Sequence, residues 1–156
     1  MWWTPGDPYE LRAFTRDGNL ERIVRVPGDG VKFDDALRSK IEAYLLRLRG
    51  PGAGGHAARA ILIERASWPQ TQPRVARLWV SIPQGRVFAA RYEAGMFEDP
   101  PTMRLDVFEP DGSYRGRLDL PGGSTPRRFR NGAVYGVVRD ELDVNYAVRY
   151  RLLEPE

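Results

Sequence analysis

The segment at residues 11–27, LRAFTRDGNLERIVRVP, recurs without a gap ninety-four positions later, at residues 105–121, as LDVFEPDGSYRGRLDLP. Leu11 falls on Leu105, Phe14 on Phe108, Asp17-Gly18 on Asp111-Gly112, Val24 on Leu118 and Pro27 on Pro121. In each copy a short run rich in apolar residues leads into Asp-Gly and out into a second such run. Glycine takes the positive φ of a tight turn at no steric cost, and Asp tolerates the neighbouring position, so each copy reads as an antiparallel hairpin. Gln84-Gly85 and Asn131-Gly132 carry the same signal, which brings the expectation to four hairpins.

The runs flanking these turns place strands at 10–14, 20–26, 75–82, 86–92, 104–108, 114–120, 127–130, 134–138 and 146–152. In Leu105-Asp106-Val107-Phe108 and Leu118-Asp119-Leu120, polar residues interrupt apolar ones at the period of a strand with one wetter face. Val75–Val80 and Val134–Val138 lack that alternation, as strands packed on both faces do. Between 34 and 49 the period changes. Leu37, Ile41, Tyr44, Leu45 and Leu48 recur at three and four, the stripe of an amphipathic helix, with Asp34 or Asp35 to cap it and Gly50-Pro51-Gly52 to stop it. A second short helix is expected over 56–66, where Ile61-Leu62-Ile63 also suits a strand. The segment 28–74 is therefore a helical insertion and linker within a single partial domain spanning 1–156.

A third echo, Tyr146-Ala-Val-Arg-Tyr150, matches the strand before the turn, and setting Tyr150 on Phe108 gives a spacing of 42 residues. Ninety-four is then one unit of that size plus an excess that contains the helical insertion. A unit of about 40–50 residues holding four short antiparallel strands is the pattern of a propeller blade. The fold class expected is all-β: about two and a half antiparallel four-stranded blades of a partial, six-bladed-type β-propeller. The first blade starts in its second strand, at Trp2-Trp3, and the last ends after its third.

These residues resemble bacterial six-bladed β-propeller proteins, uncharacterised and broadly similar to NHL-type and TolB-like propellers. The 105–121 hairpin looks like their third-to-fourth-strand hairpin, and AVYGVVRDELDVNYAVRYRLLEP looks like their closing C-terminal segment. The resemblance implies that the chain is the C-terminal part of a longer propeller, and that relatives are exported. It carries structural motifs and no catalytic signature.

Composition narrows the chemistry. With no cysteine and one histidine, His56, thiolate sites and the familiar zinc spacings are excluded. No run approaches the ~20 apolar residues of a membrane span. The formal charge is +3, with Lys32 and Lys40 the only lysines, too small an excess for a nucleic-acid partner to be expected. The acidic Arg139-Asp-Glu-Leu-Asp143 lacks the alternating oxygen ligands of a calcium loop and reads as a solvated turn. The glycine-rich 50–55 lacks Gly-Lys-Ser/Thr and reads as a linker. In Arg127-Arg128-Phe129-Arg130, Arg128 and Arg130 fall on one strand face and Phe129 on the other, the pattern of a half-buried strand. Trp79, Phe88, Tyr92, Phe108, Tyr114 and Tyr135 read as packing, whereas Trp2 and Trp3 are expected to be exposed.

No catalytic, cofactor-binding or metal-binding residue is assigned, and no cofactor is expected. The function expected is a non-catalytic binding or scaffolding segment of a propeller protein, for a protein or small-molecule ligand. The alternative is part of a lactonase- or lyase-like propeller enzyme with its site in the central channel. Self-association is expected through exposed, apolar blade faces at either end.

Overall fold

The computed structural model describes residues 1–28, 32–47, 54–97, 101–140, 142 and 144–153. Among these residues the strands are β1 (Trp2–Trp3), β2 (Glu10–Phe14), β3 (Leu20–Arg25), β4 (Val75–Val80), β5 (Val87–Arg91), β6 (Met103–Phe108), β7 (Tyr114–Leu120), β8 (Ser124–Arg130), β9 (Ala133–Arg139) and β10 (Asn145–Arg151). The helices α1 (Asp35–Arg47) and α2 (Gly54–Glu64) lie between β3 and β4. The protein is mostly antiparallel β, in three sheets whose successive strands are neighbours: β1-β2-β3, β4-β5-β6-β7 and β8-β9-β10.

The repeated hairpin is one structure built twice. Thr15 N–H donates to Asn19 O and Gly18 N–H to Thr15 O in the first copy, and Glu109 N–H to Ser113 O and Gly112 N–H to Glu109 O in the second. Both ladders shift register at the same repeat position, between Ala13 and Phe14 and between Val107 and Phe108. The glycines sit at φ +85° and +86°, while each preceding Asp keeps a negative φ. These are three-residue loops, a type I turn closed by a left-handed glycine, rather than the two-residue turns expected from the sequence. Asn131-Gly132 is the two-residue form, with φ +50° and +68°.

The middle sheet is packed on both sides. Along β5, Val87 and Ala89 face the first sheet, where they meet Tyr9, Leu11, Val75 and Phe108, while Phe88 and Ala90 face the third and join Leu105, Val107, Phe129 and Val134. Phe88 and Phe129 stack with centroids 4.0 Å apart, the tightest aromatic contact between the second and third sheets. Leu105 and Val107 on β6 point one way, Asp106 and Phe108 the other, and all four are buried. The alternation read as a dry and a wet face is therefore a division between two cores, with Asp106 fully enclosed. In contrast, β4 is half-exposed and only Val75 in it is buried.

The second and third sheets also meet at their first strands. Ile82, just after β4, bridges in parallel to Arg130 at the end of β8, with Ile82 N–H donating to Phe129 O and Asn131 N–H to Ile82 O. The strand β8 starts earlier than its sequence suggests and includes Pro126, accommodated by a bulge between Pro126 and Arg128.

Helix α1 is capped by Asp34, whose Oδ1 accepts from Leu37 N–H at 2.8 Å, and it buries Leu37 and Ile41. Residue 48, the last of the expected stripe, lies outside the described residues. Tyr44 meets Phe97 edge-on, and Phe33 stacks on Trp68 at the neck of the insertion. That neck is closed by a Lys32–Thr71 bridge and by Arg74, which donates to Gly28 O at 2.8 Å. Ile61-Leu62-Ile63, which also suited a strand, is helical.

Candidate functional site

The third sheet covers only part of the middle sheet, because beyond β10 nothing among the described residues lies over β6 and β7. Phe88, Val107 and Leu118 floor the resulting groove of about 140 Å³, and Leu152 closes one side. Arg86 and Arg115 stand at its rim. Glu109 gathers both cations: Arg86 Nε donates to it at 3.1 Å, and Arg115 Nη1 donates to Oε1. Desolvation opposes ionisation of Glu109, but the hydrogen bonds from Arg115 and Arg86 outweigh it and hold the carboxyl below its ordinary range. The volume falls below the ~300–1,000 Å³ of small-molecule sites, so the groove suits one or two side chains of a docking segment better than an enclosed cofactor.

A second polar cluster lies between the first and middle sheets. The Tyr9 hydroxyl donates to Asp106 Oδ2 at 2.7 Å and Arg91 Nε donates to the same oxygen at 2.8 Å, while the Tyr114 hydroxyl reaches Oδ1 at 3.4 Å. Burial, then the hydrogen bond to Asp106, pushes the Tyr9 phenol far above its ordinary value, so Tyr9 stays neutral. Bonding to Asp106 raises the Arg91 pKa in turn. With Asp106 at 0% exposure and its donors supplied by the chain, this cluster fastens one sheet to the next. Sequence reading passed over it because its members are 97 residues apart.

The positions singled out in the sequence are scattered. Phe129 is 1% exposed while Arg128 and Arg130 are exposed, so the two faces expected of that strand are present. Asp140 closes a turn: its Oδ1 accepts from Val144 and Leu142 N–H, both at 2.9 Å, and the bond from Val144 leads the causes that lower its pKa. Residues 141 and 143 lie outside the described residues, as do residues 50–53 of the glycine-rich linker. His56 falls within α2. Among the aromatics read as packing, Phe88 and Phe108 are buried, but Tyr114 and Tyr135 are 56% and 37% exposed. On a β-strand a tyrosine needs only one ring edge covered, and Tyr114 leans its ring edge-on against Phe108. Trp3 is exposed as expected, with Arg12 5.2 Å over its ring, whereas Trp2, expected to be exposed too, is partly buried against the core around Tyr9 and Leu11.

The two outer faces differ in chemistry. The first sheet presents Trp3, Leu20 and Ile23 to solvent. The third sheet, expected to be apolar there, instead presents Arg128, Arg130, Arg149 and Arg151 around Tyr135, Val137 and Ala147.

Among the described residues no three His, Asp or Glu side chains are grouped to hold a metal ion, and no helix is long and apolar enough to cross a membrane. Compared with known proteins, the chain matches no protein-family model, no curated protein and no solved structure.

Proposed function

We propose that the three sheets are consecutive blades of a six-bladed-type β-propeller, similar to the NHL and TolB-like group, and that the chain is a non-catalytic binding segment of such a protein. One observation supports the reading: each sheet is a meander stacked face to face on the next, and the second and third sheets meet side by side in parallel at the ends of their first strands, at Ile82 and Arg130. Parallel first strands are what sheets radiating from a common axis require, whereas a two-layer sandwich joins its sheets through interleaved connections. The groove bordered by Arg86 and Arg115 is the contact site, taking side chains of a protein or peptide ligand. Its apolar floor contributes affinity, and the Arg86–Glu109–Arg115 cluster forms a polar rim around it.

Electron cryo-microscopy of the protein that carries this chain tests the reading. Sheets fanned around an axis lined by β4 and β8 are the expected result, with ligand density over Phe88 and Leu118. Strands closed into a barrel would end the propeller reading. A ligand held at the axis by groups from several first strands would favour the lactonase- or lyase-like alternative.

A further inference from the structure

We infer that the outer face of the third sheet docks an acidic polypeptide strand with carboxylates at alternate positions. The register across β8, β9 and β10 sets Arg128, Tyr135 and Arg149 in one row, and Arg130, Ala133 and Arg151 in the next. Rows two residues apart on a strand are ~7 Å apart, and side chains two strands apart are ~9.5 Å apart, so the four arginines rise from the corners of a rectangle. All four are exposed, and Arg128, Arg130 and Arg151 make no ion pair among the described residues. No acidic residue faces them from the described part of these three strands. The chain has 24 cationic and 21 acidic residues, and four of the cations stand on this face with no acidic side chain in the three strands beside them.

The other sheet interfaces show why the occupant must be acidic. At the repeat positions of Arg149 and Ala147 the middle sheet has Val107 and Leu105, which are buried against an apolar neighbour. A neighbour of that kind laid on the third sheet would strip water from four guanidiniums and return no acceptors, which burial of unpaired charge disfavours strongly. A second copy of the chain offering the outer face of its first sheet would bring Arg12 and Arg25 with Glu10 already committed to them, and so no spare acceptor for the four guanidiniums. An extended strand with a carboxylate at every second residue matches the ~7 Å row spacing and gives the arginines bidentate acceptors. Val137 and Ala147, next along the same face, leave room for an apolar residue beyond the acids. Single-stranded nucleic acid fits less well, because Tyr135 is the only aromatic on the face and Arg149 already lies 6.0 Å over its ring, leaving no stacking platform.

The test is fluorescence anisotropy with a labelled peptide of alternating Glu and Val, a Lys-Val peptide of equal length, and oligo-dT of equal charge. Binding of the Glu-Val peptide alone, weakening as salt rises and falling about tenfold or more in the double variant Arg128→Glu/Arg149→Glu, is the expected result. Both substitutions are on an exposed face, and an unchanged melting temperature verifies that the fold survives. Should the double variant unfold, Arg149→Gln alone is expected to weaken binding about threefold or more. Tighter binding of oligo-dT, indifference to both variants, or no binding of the Glu-Val peptide would each overturn the inference. In the propeller reading that acidic strand belongs to the blade facing the third sheet; none of these outcomes touches the groove at Arg86 and Arg115, so the ligand assigned to that groove stands or falls separately.

Discussion

The β2–β3 and β6–β7 hairpins share turn geometry, bulge position and register, yet they live in different surroundings. Among the described residues the second is covered by the first sheet on one face and partly by the third sheet on the other, whereas the first has a neighbour on one face only. At equivalent positions, Phe108 is 1% exposed while Phe14 is half-buried, and Asp106 is sealed under Tyr9 while Arg12 lies open against Trp3 and Glu10. Backbone design is therefore local to the hairpin, and the chemistry of each face answers to what covers it. A buried carboxylate is tolerated at 106 because two other elements bring donors to it; at 12, beside water, an arginine needs only a nearby acid.

Truncating the repeated aromatic breaks the comparison most sharply. Phe108→Ala opens a cavity against Tyr9, Leu11 and Val87 and is expected to cost about 3–5 kcal/mol by denaturant unfolding. Phe14→Ala, on the uncovered side, is expected to cost about 1–2 kcal/mol. Equal losses would show that the two hairpins do not differ in solution as they do in the structure.

Tyr9→Phe removes a donor from Asp106 and is expected to cost about 1–3 kcal/mol near neutral pH. It should also change the alkaline limb. The folded-state pKa of Tyr9 is raised above its ordinary 10.0, so its stabilisation is complete below pH 10 and is lost as pH rises beyond that, where the unfolded chain ionises first. The wild-type chain should lose stability above pH 10 more steeply than the Phe variant. Parallel alkaline limbs would mean that Tyr9 is not buried against Asp106.

The smallest contrast is at the turn glycines. Both have φ near +85°, which costs a side chain about 1–2 kcal/mol, but a Cβ at Gly112 would lie 2.6 Å from Val24 Cγ2, whereas one at Gly18 meets nothing within 4 Å. Gly112→Ala is expected to lower stability by about 1 kcal/mol more than Gly18→Ala, read as a difference in unfolding midpoint. A reversed order would deny that the second turn rests on the first sheet.

Much of the framework was legible before the fold was known. The Asp-Gly and Asn-Gly pairs located three of the hairpins, the change of period at residue 34 located α1, and the ninety-four-residue echo announced two copies of one hairpin. The candidate sites were less legible. Nothing in the neighbourhood of Asp106 announces that Tyr9 will arrive from 97 residues away, and an aspartate between Leu105 and Val107 looks the same whether its face is wet or sealed. The arginines of β8 and β10 were visible singly, but their rectangle depends on the register of three strands and on a bulge at residue 127 that moves Arg128 opposite Tyr135.

Turns, strand periods and the capped helix are short-range properties, set by φ preferences and by which residues alternate within a few positions, so residue order alone determined them. Only the tertiary structure decided which faces are covered, which polar groups are enclosed, and where charges from distant strands converge. Those outcomes depend on long-range contacts, and the water removed from a side chain is a property of its neighbours in space rather than in sequence.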